Sequence, residues 1–310
     1  MSSKEQTLVV GASGLLGMEV VRRLRGAGRS VRALVRAGTA ADKRRGLEGL
    51  GVELCTADLK DLGSLEGVCR DVTSVISTAS AMLSRQEGDS IKAVDEDGQM
   101  NLVATAERLG VGRFVFISFP PNPLDFALQR AKRGVEARLR QGRMDFAVLQ
   151  PAFFSEIWLS PAVGFDPVGG RVRIFGDGHG AVSWISLQDV ARFAVAASEE
   201  SGFRSKVLPL GGPDPLSQLQ VLRIMEELGA PSCVPEHIPE SDIEAQFANA
   251  TNPFEEAFAA LMLTVSRGVT LDPRHAVQLL PGRLVTVRDY ANRLLGKTND
   301  RKGDTDGTNR

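Results

Sequence analysis

The chain has 310 residues, with 37 basic and 38 acidic side chains, a net charge of -1 and 43% hydrophobic residues. That is enough apolar material for one large or two modest α/β domains, and the charge balance removes the electrostatic case for nucleic acid or a membrane surface as partner. Cys55, Cys69 and Cys233 lack metal-ligand spacing and the three histidines are scattered, so no metal site is expected; with no apolar stretch long enough for a signal peptide or membrane span, the expected location is cytoplasmic.

The first apolar run, Thr7-Leu8-Val9-Val10, is followed by Gly11-Ala12-Ser13-Gly14-Leu15-Leu16-Gly17 and then by a helical stretch, Met18 to Gly26. Strand, glycine-rich turn and helix make a nucleotide cradle: the glycines let backbone approach a diphosphate, while the unpaired amides and positive dipole end of the helix face its charge. Three spaced glycines alone also fit a tight turn without ligand. The preceding buried strand, and a second strand ending about twenty residues on, strengthen the nucleotide reading.

That second strand, Arg29 to Val35, ends in Arg36, where an NAD-selective fold usually carries Asp or Glu. A carboxylate there would repel a 2′-phosphate. A guanidinium offers it charge-assisted hydrogen bonds of about 1.5–3 kcal/mol, roughly a ten- to hundredfold preference, so NADP is expected over NAD. Lys43, Arg44 and Arg45 either add to that field or form a solvated helix face.

The third strand, Val52 to Thr56, runs into Ala57-Asp58-Leu59, and the fourth, Val72 to Ser77, into Thr78-Ala79-Ser80. Ligands lie over the carboxyl ends of the strands in open parallel sheets, so these tips should meet adenine and ribose. Asp58 is assigned to the adenine amino group; Asp58 or Asp61 also suits the N-cap of the helix Leu62 to Cys69. The helix Ser90 to Leu109, the strand Arg113 to Ile117, the helix Phe126 to Arg140 and the strand Asp145 to Leu149 continue the alternation. This predicts right-handed crossovers and a Rossmann-type, doubly wound parallel α/β sheet over residues 1–153.

Glycines and prolines crowd Pro161 to Gly180, after which Val182 to Ser186 leads into a helix, Leu187 to Ala197, and Lys206 to Leu210 reads as a further strand. Residues 182–210 are therefore expected to return to the sheet, with most of 154–296 forming a smaller, mainly helical substrate lobe. The stretch 297–310, Lys297 to Arg310, is polar and expected to be disordered. Pro151-Ala152-Phe153-Phe154, followed by Trp158 and Phe165, puts aromatics where nicotinamide and substrate should meet. Such a pocket suits a small planar, apolar or aromatic acceptor, unless the aromatics simply join the lobe to the sheet. His179, between glycines, is a further acid candidate or an exposed loop residue, and Asp189 in the first turn of its helix reads as structural.

These segments resemble the NmrA-like group of atypical short-chain dehydrogenases/reductases, related to quinone oxidoreductases and isoflavone-reductase-like enzymes. The resemblance rests on Gly11 to Gly17, Val31 to Arg36, Ala57-Asp58-Leu59, Phe114 to Ser118 and Asp145 to Phe154, with Ser183 to Ala191 and Gly211-Gly212-Pro213 in support. It covers nearly all of the chain except the tail. The expected cofactor site is Gly11, Ser13, Gly14, Leu15, Leu16, Gly17, Arg36, Asp58, Leu59, Thr78, Ala79, Ser80, Lys132, Pro151 and Phe153.

The family's wider pattern has a serine at the end of the fifth strand and a catalytic tyrosine four residues before a lysine on the next helix. Ser118 and Lys132 match, but the tyrosine position holds Leu128, and the one tyrosine of the chain is Tyr290. Members without the tyrosine imply Lys132 as proton donor, its release eased by burial near a cationic nicotinamide; its other role is a hydrogen bond to a ribose hydroxyl. Ser118 hydrogen-bonds a carbonyl or caps its strand. Two functions stay open: an NADPH-dependent oxidoreductase acting on a quinone-like or carbonyl compound, and a non-catalytic NADP sensor that binds a protein partner, which Leu128 favours. An epimerase or dehydratase is weaker, because those enzymes also depend on the missing tyrosine. Oligomeric state is open on this reading.

Overall fold

The computed structural model describes residues 5–84 and 86–297. The expectation of a disordered tail therefore falls, apart from Lys297, outside the described residues. The chain alternates β1 (Gln6–Val10), α1 (Leu15–Gly26), β2 (Ser30–Val35), α2 (Ala41–Glu48), β3 (Glu53–Thr56), α3 (Leu62–Cys69) and β4 (Ser74–Ser77). A π-helical segment (Ile91–Gly98) then runs into α4 (Gln99–Arg108), followed by β5 (Arg113–Ile117), α5 (Ala127–Gln141) and β6 (Asp145–Pro151). Next come α6 (Ser155–Trp158), β7 (Phe165–Asp166), β8 (Arg171–Phe175), α7 (Leu187–Glu199) and β9 (Lys206–Leu210). The remainder is α8 (Gln218–Glu227), β10 (Glu236–Ile238), α9 (Glu240–Ala248), α10 (Pro253–Arg267), α11 (Arg274–Leu279) and α12 (Val287–Leu294).

Seven strands form a sheet in the order β3-β2-β1-β4-β5-β6-β9, every neighbouring pair parallel. Its inner strands are buried on both faces, which is why β1 and β5 read as continuous apolar runs, Leu8-Val9-Val10 and Phe114-Val115-Phe116. One face is covered by α1, α2 and α7, which contribute Val20, Val21, Leu24, Leu47, Val190 and Phe193 to a common core. On the other face α3, α4 and α5 bury Leu65, Leu102, Val103, Val135 and Leu139. This is the expected Rossmann-type α/β arrangement, and β9 pairs with β6 from Ala147↔Lys206 to Pro151↔Leu210. Strand order turns in opposite directions from β1 and β4, so the crevice at the carboxyl ends of those two strands is the site the topology provides.

Two local differences from the sequence expectation matter for that crevice. The helix expected from Ser90 to Leu109 begins as a π-helix, with Ser90 as its N-cap accepting from Ala93 N at 3.0 Å. Its widened turn ends at Gly98, where a Cβ would sit 2.8 Å from Leu59 Cβ and 2.8 Å from Ala93 O, so glycine lets the helix close on the loop after β3. Beyond the sheet, β10 and β7 flank β8 in a three-stranded sheet. Around it α6, α8, α9, α10 and α12 enclose a third apolar core containing Trp158, Phe165, Phe175, Trp184 and Tyr290.

Candidate functional site

At the tip of β1 the backbone of Gly11 takes φ +81, and a Cβ there would lie 2.7 Å from Thr78 Oγ1 and 2.8 Å from Ala79 N. Only glycine allows the tips of β1 and β4 to meet this closely. Gly17 seats the helix: its Cβ would fall 2.1 Å from Gly11 O. Gly14 is the N-cap of α1, with no side-chain cap and no acidic residue in the first turn. The leading amides of a twelve-residue helix thus face the crevice without a protein carboxylate to satisfy them. That donor set fits a diphosphate, whose charge the helix dipole also favours.

The tip of β4 is pinned from behind. Gln99 Oε1 accepts from Ser77 Oγ at 2.9 Å while its Nε2 donates to Ala79 O at 3.1 Å, and Asp95 Oδ2 accepts from Ala81 N at 2.8 Å. The π-helical turn is what brings Asp95 and Gln99 to the same strand end. Just past the tip of β2, Arg36 donates from NH1 to Asp89 Oδ2 (2.5 Å) and from NH2 to Ser84 Oγ (3.2 Å). Lys60 Nζ meets Asp89 Oδ1 at 2.7 Å. Burial alone would raise the Asp89 carboxyl, but hydrogen bonds from Lys60, Ser84 and Arg36 and the Arg36 charge pull it down to about 2. Asp61, not Asp58, caps α3, accepting from Gly63 N at 3.0 Å; Asp58 accepts from Lys60 N at 2.9 Å. Leu59 is buried beneath Gly98.

A cleft of about 780 Å³ opens from the glycine turn toward the small-lobe core. Gly14 to Gly17, Thr78, Ser80, Ser118, Lys132, Pro151 and Phe153 line it together. Gly11, Ser13, Arg36, Asp58, Leu59 and Ala79 are not among its walls. Lys132, 5% exposed, places Nζ 3.2 Å from Asp95 Oδ1, 3.4 Å from Ile117 O and 4.9 Å from the Phe116 ring centre. The Asp95 carboxylate is fully buried, so the ammonium charge that reaches the cleft is balanced from behind. Ser118 Oγ donates to Glu136 Oε1 at 2.7 Å and accepts from Arg133 NH2 at 3.1 Å. Glu136 is itself held by Gln150 Nε2 at 3.0 Å and by Arg133 and Arg140 at 2.9 and 3.1 Å. With its O–H directed at Glu136 and one lone pair taken by Arg133, Ser118 keeps one acceptor lone pair and no donor for a ligand in the cleft. Leu128 occupies the wall one turn before Lys132.

Among the aromatics, Phe153, Phe154 and Trp158 line the cleft and Phe165 does not. Phe165 is 1% exposed within the small-lobe core, where β7 pairs with β8 and turns its ring inward. His179 is exposed, outside the cleft, in a loop closed by its N–H on Asp177 Oδ1. Tyr290 donates to Leu159 O at 2.8 Å, and burial, with Glu156 adding to it, pushes its hydroxyl up to about 12. It is not among the cleft walls. Asp189 is structural, accepting from Val285 N at 2.7 Å, and burial raises its carboxyl. Among the described residues no group of His, Cys, Asp or Glu could hold a metal ion, and no helix is long and apolar enough to cross a membrane.

Sequence reasoning missed the far wall. Phe254, Phe258 and Leu261 of α10 face the cleft, Thr264 of the same helix accepts from Asn122 Nδ2 at 2.6 Å, and Met82 and Leu83 close the near side. Phe258 stacks on Trp158 (centroids 5.8 Å, planes 18° apart), which meets Phe153 edge-on at 4.9 Å. The i, i+4, i+7 spacing of Phe254, Phe258 and Leu261 marks one helix face, and that pattern was the available signal.

Sequence relatives include the photosystem II assembly factor Ycf39 of Trieres chinensis, 27% identical and covering 75% of this chain and 72% of the relative. The isoflavone reductase homolog IRL of Zea mays is 26% identical over 95% of this chain and 99% of its own length. Among solved structures, the NADPH-dependent quinone oxidoreductase QOR2 of Escherichia coli, complexed with NADPH, shares the fold with a TM-score of 0.75 at 19% identity, covering 93% of this chain and 99% of that one. The NmrA-like family pattern matches residues 3–262, and the chain belongs to the NmrA-like family.

Proposed function

We propose that this chain is an NADPH-dependent oxidoreductase that reduces a small planar, apolar compound, quinone-like or an aromatic carbonyl. The observation that carries the reading is the single cleft in which the uncapped start of α1, the Lys132 ammonium and the Phe153, Trp158 and Phe258 rings share one wall-to-wall space. Its lining is apolar save for a few polar groups, which excludes water and suits a flat ring more than a sugar. The isoflavone reductase homolog and the quinone oxidoreductase among the similar proteins support the same reaction class.

In this reading the α1 amides hold the diphosphate, and Arg36 serves the 2′-phosphate. Bound NADPH supplies a hydride. Lys132, supported by Asp95 and Ile117 O, holds a ribose hydroxyl with its ammonium, while solvent or Lys132 furnishes the proton. Leu128 adds only apolar surface. Steady oxidation of NADPH by a panel of quinones and aromatic aldehydes is expected, with kcat/KM falling about a hundredfold or more in Lys132→Ala.

One specific observation favours a second reading. Leu128 removes the usual proton donor, a point that gains weight because three relatives are named assembly factors rather than reductases. Tight NADP binding with no turnover across the panel would make the protein a nucleotide-dependent binding partner instead.

A further inference from the structure

Resting on the nucleotide reading above, we propose that Asp89 sets how strongly this chain discriminates between 2′-phosphorylated and unphosphorylated dinucleotide, by occupying the cations a 2′-phosphate would use. Arg36 follows the carboxyl end of β2, the strand tip that faces the adenosine ribose in sheets of this topology. Its NH1 lies 2.5 Å from Asp89 Oδ2, and Lys60, just past the tip of β3, sets Nζ 2.7 Å from Asp89 Oδ1. Lys60 also stands 3.7 Å from Asp58 Oδ2. Two cations therefore face two carboxylates, and the positive field that Arg36 and Lys60 would present to a phosphate is close to balanced before any ligand arrives.

The arrangement is asymmetric in depth. The Asp89 side chain is 3% exposed, whereas those of Arg36 and Lys60 are 28% and 26% exposed. The carboxylate lies beneath, and the cations reach outward. With its carboxyl held at about 2, Asp89 is ionised throughout the neutral range. A phosphate monoester brings a charge of about −1.5 to −2. Each donor that turns from Asp89 to the phosphate leaves a nearly buried carboxylate less compensated, which is costly. A neutral 2′-hydroxyl asks for neither cation and raises no such conflict. Asp89 thus lowers the gain that Arg36 would otherwise confer on NADP, and it does so from a position far along the chain from the strand tip where cofactor preference is ordinarily read.

The test is calorimetric titration of the full chain with NADP+ and with NAD+, in the unaltered protein and in Asp89→Asn and Asp89→Ser. Removing the charge is expected to tighten NADP+ about ten- to a hundredfold, the span of one charge-assisted contact, in both variants. NAD+ serves as the internal reference for an intact crevice, and its affinity should change by less than about threefold. An unchanged ratio of the two affinities overturns the proposal. So does weaker NADP+ binding in either variant, which would make Asp89 an aid that orients Arg36, and so does loss of both nucleotides from both variants, which would leave Asp89 a purely structural anchor. If the unaltered protein binds neither nucleotide, the cofactor reading itself fails and takes this inference with it.

Discussion

The Lys132–Asp95 pair is the residue-scale feature on which the site depends. Nζ and Oδ1 are 3.2 Å apart, with the side chains 6% and 0% exposed. Removing one member of a buried pair strands the other's charge at a cost of about 3–5 kcal/mol, whereas replacing both by neutral groups is far milder. Urea unfolding should therefore show Lys132→Met and Asp95→Asn each strongly destabilised and the double variant more stable than either single one. Additive losses would show that the two side chains do not act as a pair. The family resemblance singled out Lys132, on the helix after the fifth strand, and left Asp95 unseen. Nothing in Ile91 to Gly98 says which of Asp95, Glu96 and Asp97 turns inward until the widened helical turn is known. Asp89 was hidden for a related reason: its link to Arg36 spans 53 residues, and a contact at that separation leaves no periodic trace in the chain.

At the scale of the element, α1 shows how much a glycine pattern can and cannot specify. Its three turn glycines, the strand before it and the helix after it were all readable, because each obeys a local rule of backbone space or periodicity. The structure separates their roles. A Cβ at Gly17 would fall 2.1 Å from Gly11 O, a backbone atom that cannot move aside, whereas at Gly26, the last residue of the same helix, a Cβ would meet nothing within 4 Å. Gly17→Ala should lift α1 off the tip of β1, lowering stability by about 1–3 kcal/mol or more and abolishing dinucleotide binding. Gly26→Ala should be neutral or stabilising by up to about 1 kcal/mol. Thermal unfolding with and without nucleotide distinguishes these outcomes, and equal effects at the two positions would deny α1 its seat on the turn. The π-helical start of the next long helix was not readable, since one extra residue in a single turn is too small a break in a 3.6-residue period.

For the whole molecule, the sheet was legible because alternating strands and helices admit few topologies; a small, mainly helical lobe was expected too, but not how it packs, because its core joins residues from α6, β8, α8, α10 and α12 that share no local pattern. That core carries its own reporter. Tyr290 is the chain's single tyrosine, and burial, with Glu156 adding to it, raises its hydroxyl to about 12 from an ordinary value of 10.0. An acid whose folded value is raised holds its proton in the native state after the unfolded chain has lost it. Its contribution to stability is therefore intact below about 10 and disappears as the pH climbs toward 12, a loss of about 2 kcal/mol. Trp158 and Trp184 sit in the same core, so their emission reports whether the lobe stays closed. A spectrophotometric alkaline titration should show phenolate forming only near pH 12, or earlier only together with the change in tryptophan emission that marks opening of the lobe. Phenolate formation near pH 10 with unchanged tryptophan emission would mean that Tyr290 is exposed to solvent in the folded protein and that the Leu159 hydrogen bond does not close this core.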